Sequence, residues 1–532
     1  MLNTNRQRSR TAASRVVRVV HNVLASPQTA RSLRKSLMPE IYSTWLICSA
    51  AAILVAAFEP LRHWFLLPVI ICGIIMGGDA VRWITGRISL FDASGLFGLF
   101  GLHFFFVAPI LQIVSNYRTL YILNQPDDWR PWLGFTAVLN CLGLVIYKVV
   151  ASRFRSTRPP TKGTEWRVDF RSVGFLSIAA VTVAVSSQLF IYFHFDGIMG
   201  YMAAFSRGDS FKGYGWAFLL SESAPLLATT AICLSLRRRL GWLSLAIGGV
   251  ILFGAQLLSG GLRGSRSNTV FVLVIAAGMV HVRLRRLSLP AIAIGVATLG
   301  TFMYLYAFYK EYGLTAIDIL ASGSEQQAIQ AEQRHRTVTD LMLGDFGRAD
   351  VQALILYRYM TMPDEVHRAW GRTYLGAVTL VIPRSIWPDR PDTKTKELTE
   401  FEYGVGSYVP GYIQTSHVAG LAGEAMLNFG LLGAPLSFVI LGILAGWCRR
   451  LDASLGPGDT RRLFLPVMGI LGIVMLVSDL DNDLVFLGKY FAPALLLVYI
   501  SSIKERRSAA PALIIKRQTS LAVACGLLGI GR

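Results

Sequence analysis

The chain has 532 residues, of which 53% are hydrophobic and 16% are charged. This composition excludes an ordinary water-soluble protein of the same length, because so many apolar residues need lipid around them. The formal net charge of +20 would suit a nucleic-acid partner, but the positions of the basic residues, given below, exclude nucleic acid.

Long apolar runs follow one another along the chain, for example Val173–Phe193 and Leu484–Ile503. Such runs span the roughly 30 Å hydrocarbon layer when they form α-helices. Strands of a closed barrel would be short and alternating, so the pattern favours helices. The sequence predicts an all-α, polytopic membrane protein with about twelve transmembrane helices. They are 41–58, 64–81, 90–114, 132–151, 173–193, 216–236, 240–258, 268–282, 289–309, 417–447, 463–478 and 484–503.

Basic residues concentrate in alternate loops, and this bias orients membrane helices with the basic loops inside. It predicts a multi-pass protein of a bacterial cytoplasmic (inner) membrane with both termini in the cytoplasm, and it indicates contact with anionic lipid rather than nucleic acid. The following loops hold 32 of the 52 Lys and Arg residues: 1–40, 82–89, 152–172, 237–239, 283–288, 449–462 and 504–532.

Five segments follow from these helices. They are a basic cytoplasmic arm (1–40), membrane helices 1 to 9 (41–309), a large extracytoplasmic loop (310–416), membrane helices 10 to 12 (417–503) and a cytoplasmic tail (504–532). The large loop is expected to be ordered, with a short re-entrant or interfacial helix at Tyr374–Ile386. None of the six cysteines lies in a predicted outer loop and no C-x-x-C spacing occurs, so neither a disulfide framework nor a cysteine-ligated metal is expected.

The turn Ser259–Asn268, called the arginine turn below, has the sequence SGGLRGSRSN. Its glycines allow close approach of the backbone to a ligand, and Ser267 or Asn268 can cap the helix that follows. Arg263 and Arg266 beside a helix N-terminus predict a site for phosphate oxygens. The alternative is that both arginines only reach from the helix ends towards the interface.

The large loop contains the sequence IPRSIWPDRPDTK from Ile382 to Lys394. Its prolines fix the backbone, and Arg384 follows the short apolar segment. Two interpretations stay open: Arg384 completes the anion site, or it is a solvated residue flanking an interfacial helix.

The predicted tenth helix opens with His417, and Glu424 follows seven residues later on the same face. A carboxylate within an apolar helix is a candidate catalytic base. The alternative is structural, with Glu424 bonded to a neighbouring helix and His417 acting only as a cap.

Four further acidic residues give weaker signals. Asp479, Asp481 and Asp483 lie on a predicted outer turn, where capping of the last helix and pairing with Lys489 is favoured over a divalent cation site. Glu222, near the outer end of helix six, either lines a cavity or meets an arginine.

Three motifs and the entry of helix three, LFDASG at Leu90–Gly95, give the chain a resemblance to the bacterial oligosaccharide repeat-unit polymerases, the Wzy-type family of O-antigen and exopolysaccharide synthesis. The motifs are GGLRGSR at the arginine turn, IPRSIWPDRPDTK in the large loop and GEAMLNFGLLGAP in helix ten. Hydropathy is compatible over nearly the whole chain, whereas the motifs cover about a tenth of it.

The resemblance implies an inverting, metal-independent membrane glycosyltransferase of the GT-C type without a cofactor. Its donor and acceptor would both be undecaprenyl diphosphate-linked oligosaccharides, and a chain-length regulator and a flippase would be its partners. Arg263, Arg266 and Arg384 would stabilise the departing diphosphate, and His417 or Glu424 would orient or deprotonate the acceptor hydroxyl.

Two other functions compete with the polymerase. The related O-antigen ligases, which transfer the chain to a lipid or protein acceptor, often have a histidine ahead of this helix. A transporter or flippase for the same lipid predicts ionisable residues near mid-membrane, whereas those of this chain lie towards the predicted outer ends.

Overall fold

The structure, a computed structural model, describes residues 27–117, 125–154, 164–207, 213–236, 240–263, 266–312, 338–409 and 417–506. Most of the predicted basic arm and cytoplasmic tail, and residues 313–337 of the large loop, lie outside the described residues. Within the described ranges the chain is almost entirely helical.

The helices are numbered along the chain, and three of them continue through a π-helical stretch: α3 into His103–Val107, α13 into Leu341–Asp345 and α20 into Leu487–Phe491. Short 3-10 helices lie at Glu59–Leu61, Gly261–Arg263, Thr379–Val381 and Thr460–Leu463. The α-helices are α1 (Pro27–Ala57), α2 (Leu66–Ile84), α3 (Ala93–Leu102), α4 (Ala108–Val114), α5 (Arg130–Arg153), α6 (Val173–His194), α7 (Gly197–Arg207), α8 (Gly215–Ser221), α9 (Ala224–Ser235), α10 (Trp242–Ser259), α11 (Arg266–Arg283), α12 (Leu289–Tyr312), α13 (Val338–Asp340), α14 (Ala349–Thr361), α15 (Arg372–Val378), α16 (Lys394–Tyr403), α17 (Gly420–Phe429), α18 (Gly433–Ser454), α19 (Phe464–Val477), α20 (Leu480–Phe486) and α21 (Ala492–Ile500).

In the described part of the chain, ten helices are long and apolar enough to cross a membrane. Two shorter apolar helices, Asn268–Arg283 and Leu289–Met303, correspond to the predicted eighth and ninth helices. The prediction of a mostly helical, polytopic membrane protein is confirmed. The ten candidate spans are Met38–Ala57, Leu66–Ile84, Ala93–Val114, Arg130–Arg153, Val173–His194, Gly215–Ser235, Trp242–Ser259, Gly433–Ser454, Thr460–Val477 and Leu480–Ile500.

Several spans leave large apolar side chains uncovered by protein. On α10, for example, Leu243 is 75% exposed and Val250 is 73% exposed. Such a surface is unfavourable in water but suits hydrocarbon, where the helix already satisfies its own backbone hydrogen bonds. These faces are the lipid-contacting surface that the composition predicts.

The described residues form two compact units, and each unit is described separately. The first comprises the described residues of Met1–Ile146, Met342–Trp370 and Thr395–Phe438, and the second those of Tyr147–Leu341, Gly371–Lys394 and Val439–Arg532.

Helix α14 lies in the core of the first unit, although it belongs to the predicted large loop. Its Ala353 and Leu354 are almost fully buried in one cluster with Phe65 and Leu133 from the membrane helices. Nine of the thirteen residues of α14 are buried. It is therefore part of the fold rather than an appendage to it.

The predicted interfacial helix Tyr374–Ile386 is shorter than expected. Helix α15 and the following 3-10 turn end at Val381. Pro383 accounts for this end, because a proline disfavours helical backbone at the preceding residue, and Ile382 is extended with ψ 117°. Val378 and Val381 are exposed, which suits the predicted location at a membrane interface.

The prediction of a single tenth helix from 417 to 447 is wrong. His417 precedes the helix, α17 covers Gly420–Phe429, and a separate span, α18, begins at Gly433. Gly430 causes the break, because its φ of +73° lies where glycine is strongly preferred. His417 and Glu424 therefore do not share one helical face.

The second unit contains a small antiparallel sheet that the all-α prediction did not include. Strand β1 (Thr164–Val168) pairs with β2 (Ser502–Arg506), the start of the predicted tail. Asp459, in the loop between α18 and α19, accepts a hydrogen bond from the backbone N–H of Trp166. Arg283, at the end of α11, donates to the carbonyl of Gly458 in that same loop. Four segments that the charge bias assigns to the cytoplasm thus lie together.

Close packing of α2 against α3 yields a stability prediction. A Cβ at Gly98 would lie 2.6 Å from Asp79 Cβ and 2.9 Å from the backbone N of Ala80, whereas a Cβ at Gly249 on α10 meets nothing within 4 Å. Gly98→Ala is expected to destabilise the protein by about 1–3 kcal/mol through overpacking. Gly249→Ala should be neutral or stabilising, since alanine favours a helix. Thermal unfolding of both purified variants tests this, and a Gly98→Ala melting temperature at or above that of Gly249→Ala would contradict it.

Candidate active site

The candidate active site in the first unit is built on His417 and a glutamate from the large loop. His417 Nδ1 lies 3.0 Å from Oε1 and 3.1 Å from Oε2 of Glu402. The Glu402 side chain is fully buried, whereas the His417 side chain is 31% exposed. A carboxylate therefore holds one edge of the imidazole inside the protein while part of the ring reaches the surface.

Helix α16 positions Glu402 in its last turn. Leu398 and Phe401 are buried on one face of this helix, and that face carries Glu402 inward with them. The helix ends at Tyr403, and the φ of +102° at Gly404 is typical of the residue that follows a helix C-terminus.

Arg358 of α14 fixes the end of α16. Its guanidinium donates to the backbone carbonyls of Phe401 and of Glu402, the latter at 3.1 Å. The last carbonyls of a helix lack intrahelical partners and carry partial negative charge, so a buried arginine satisfies them and stabilises this end. The Glu402 backbone is thereby held at the residue whose carboxylate meets His417.

The surrounding charges act on the pKa of His417. Its hydrogen bond to Glu402 is the largest influence and raises the pKa above the usual 6.5, and the negative charges of Glu402 and Asp350 add to the rise. Burial and the positive charge of Arg348 act in the opposite direction. The net effect is a raised pKa, because the carboxylate stabilises the protonated ring.

This geometry suits proton transfer. A histidine titrates near neutral pH, and a carboxylate on one ring nitrogen fixes its orientation and stabilises the imidazolium that forms when the ring takes a proton. Gln352 supports the same region, because its Nε2 donates to the carbonyl of Ala419, two residues after His417, at 3.2 Å.

Glu424, the second predicted candidate base, lies on α17 in the same unit and is only 3% exposed. Its backbone carbonyl accepts a hydrogen bond of 2.9 Å from Asn428 Nδ2. Burial is compatible with both interpretations of Glu424, and its catalytic role stays a prediction.

The arginine turn lies in the second unit. Arg263 ends the 3-10 helix Gly261–Arg263 and Arg266 begins α11, so a helix start does follow the turn. The side chains of Arg263 and Arg266 lie outside the described residues, and their phosphate contacts stay a prediction.

Glu222 lies beside this turn, where a lysine and an amide meet its carboxylate; its predicted contact with a cavity or an arginine stays a prediction. Its Oε2 is 2.5 Å from Lys489 Nζ and accepts a hydrogen bond of 3.1 Å from Asn268 Nδ2. Asn268 lies inside the first turn of α11, and the nitrogen of its side-chain amide donates to Glu222. Lys489 of the π-helical stretch thus pairs with Glu222, and its predicted pairing with the acidic turn stays a prediction.

The acidic turn pairs with the large loop. Asp479 Oδ2 lies 2.6 Å from Lys394 Nζ, with both side chains buried, and Asp479 does not cap the following helix through its side chain. Among the residues that the structure describes, no three His, Cys, Asp or Glu side chains are grouped as metal ligands.

Arg384 is half exposed and occupied within its own loop. It forms an ion pair with Asp392 and donates to the carbonyl of Pro388. These contacts fit the interpretation of a solvated residue that shapes the proline-rich segment. Diphosphate binding by Arg384 requires the Asp392 contact to exchange and stays a prediction.

Sequence reasoning missed Glu402, Arg358 and Asp350. Glu402 stands in the stretch ELTEFEYG, where three glutamates look equivalent. The apolar residues Leu398 and Phe401, three positions apart, could have indicated Glu402. They mark the buried face of the helix, and Glu402 lies on that face, four residues after Leu398.

Comparison with known proteins gives no relative for this chain: no protein-family model, no curated protein and no solved structure matches it.

Proposed function

We propose that the protein is a membrane glycosyltransferase that polymerises undecaprenyl diphosphate-linked oligosaccharide repeat units into a surface polysaccharide. The observation that carries the proposal is the His417–Glu402 pair, an imidazole held by a buried carboxylate in a chain with ten candidate membrane spans. The motif resemblance supplies the substrate class.

The proposed reaction is a single displacement. A hydroxyl oxygen of the acceptor sugar attacks the anomeric carbon of the donor chain and forms the new glycosidic bond with inversion. The bond between that carbon and the diphosphate oxygen breaks, and undecaprenyl diphosphate leaves with the bonding electrons. The hydroxyl proton passes to the His417 imidazole, and Glu402 stabilises the resulting imidazolium.

The leaving diphosphate needs positive charge as it departs. In this proposal Arg263 and Arg266 supply it, with Arg384 as a third candidate. Guanidinium groups suit the role because they bind phosphate oxygens with paired hydrogen bonds.

The proposed topology has twelve crossings, both termini in the cytoplasm and the reaction at the opposite face of the cytoplasmic membrane. Contacts within the second unit support it. The end of α11 lies beside the loop that contacts β1, while the start of α11 contacts Glu222 near the start of the span Gly215–Ser235. Helix α11, although short, therefore runs from the outer side to the cytoplasmic side, as the span Gly215–Ser235 does.

The pH dependence of turnover tests the catalytic pair. If neutral His417 is the base, the rate falls as the pH drops through its pKa. Because Glu402 raises this pKa, the acidic limb of the pH–rate profile should lie at a higher pH than for an ordinary histidine, whose pKa is 6.5. Glu402→Gln removes the charge that raises the pKa, so the limb should move to lower pH and the maximal rate should fall at least about tenfold, while His417→Ala should lose about 10²–10⁴-fold. Glu400→Gln, on the same helix, is the matched control. An unshifted limb in Glu402→Gln would refute the role of the pair.

The material that accumulates in a deletion strain distinguishes the polymerase from its competitors. The proposal predicts single repeat units on the carrier or on the final acceptor, because chain growth stops while export continues. Mass spectrometry of extracted lipid-linked sugars measures this. Long polymer on the carrier would instead identify a ligase, and repeats confined to the inner leaflet would identify a flippase.

A further inference from the structure

Trp370 of the first unit is a large aromatic side chain that the fold leaves uncovered. It lies near the end of the segment that joins α14 to α15, within the predicted large loop, and it is 70% exposed. Charged or polar residues of the same segment are exposed as well, namely Asp364, Glu365, His367 and Arg368. The tryptophan therefore belongs to a polar surface of the protein.

The backbone at Trp370 is strained. In the part of the chain that the structure describes, three residues other than glycine have a positive φ: Asn116, Asp196 and Trp370, the last at +49°. Asparagine and aspartate visit this left-handed region because their short polar side chains can bond locally, whereas a bulky residue is rare there. Glycine would remove the strain, so the tryptophan needs a reason other than backbone geometry.

Hydrogen bonds to the end of α17 fix this backbone. The N–H of Ala369 donates to the carbonyl of Leu427 at 3.0 Å. The N–H of Trp370 itself donates to the carbonyl of Asn428 at 3.1 Å. Both acceptors lie in the last turn of α17, where carbonyls lack intrahelical partners. Two successive bonds thus hold the strained residue in one position.

Arg368 covers one face of the indole. Its guanidinium carbon lies 5.5 Å from the centroid of the Trp370 ring, which is within the range of a cation–π contact. The same side chain packs on the break after α17, because a Cβ at Gly430 would lie 3.1 Å from Arg368 Nε. Since most of Trp370 is exposed, the opposite face of the ring stays open.

An open indole face suits a sugar ring. The face carries the negative charge of the π system, and one side of a pyranose presents polarised C–H groups to it while the hydroxyls stay at the edge. Lipid is the competing occupant, because tryptophans also anchor proteins at the membrane interface. An anchor needs no fixed orientation, whereas strain is retained where function requires one. The strained backbone and the charged neighbours of Trp370 therefore favour the sugar.

We propose that Trp370 is a binding residue that stacks on a sugar ring of the oligosaccharide substrate. This inference rests on the proposed function. Helix α17 has ten residues, so its two ends are about 15 Å apart. His417 precedes the first end and Trp370 is bonded to the second. The ring that stacks on Trp370 is therefore remote from the bond that reacts, and the contact serves binding.

The test is binding of the oligosaccharide that mild acid releases from the lipid-linked repeat units of a strain that lacks the protein. Saturation-transfer NMR measures this binding to the purified full chain in phosphatidylcholine nanodiscs. Trp370→Phe keeps an aromatic face and should bind within about threefold of the intact protein, whereas Trp370→Leu is apolar without that face and should bind about tenfold more weakly. In turnover assays Trp370→Leu should raise the KM for the lipid-linked repeat and leave kcat nearly unchanged.

Two further variants separate binding from stability and from lipid contact. Trp370→Asn places a residue that tolerates positive φ at this position, so it should melt no lower than the intact protein and still lose sugar binding. Trp216→Leu makes the same chemical change as Trp370→Leu at a tryptophan that is 57% exposed at the start of a candidate span. It should bind the oligosaccharide like the intact protein.

The outcomes distinguish this inference from the proposed function. If Trp370→Leu binds the oligosaccharide like the intact protein, the stacking role is overturned and the proposed function stands. The same holds if brominated phosphatidylcholine quenches the fluorescence that Trp370→Phe removes, because Trp370 would then be a lipid anchor. If no single repeat units accumulate in the deletion strain, the proposed function is overturned and the inference with it.

Discussion

A charged side chain that is removed from water is stable only when an opposite charge or hydrogen-bond partners face it. This constraint accounts for contacts between distant parts of the chain within each unit, because a buried carboxylate needs a cation beside it, and that cation can come from any segment that packs there. Residues 222 and 489, for example, are 267 positions apart in the sequence. Three pairs of this kind are Glu222–Lys489, Lys394–Asp479 and Glu402–His417.

The three pairs differ in what they can do. In the first two, both partners are buried and the cation is a lysine, so the charges serve to hold the chain. In the third, the partner is a histidine, a residue type that ordinarily titrates near neutral pH, and its ring is partly exposed. A buried carboxylate beside such a ring provides what a proton-transfer reaction requires, and this is why the functional proposal is centred on it.

The sequence predicted the membrane helices well because long apolar runs report directly on contact with lipid. The sequence also predicted His417 as a candidate catalytic residue, because it precedes a glycine-rich helix. It could not predict Glu402, because the choice among three nearby glutamates depends on which face of α16 is buried. The break at Gly430 was missed for a related reason: apolar residues continue through it, and the left-handed backbone that ends α17 leaves no mark in hydropathy. The Glu222–Lys489 pair was not predicted, because residues far apart in the sequence are neighbours in space.

The central claim is that the chain itself forms glycosidic bonds. The most direct measurement is reconstitution of the purified protein alone in liposomes with the lipid-linked repeat unit from a strain that lacks it, followed by analysis of chain length and released undecaprenyl diphosphate. We expect longer lipid-linked chains and one released diphosphate for each bond formed. Repeat units that cross the bilayer with no increase in length and no release of diphosphate would contradict it.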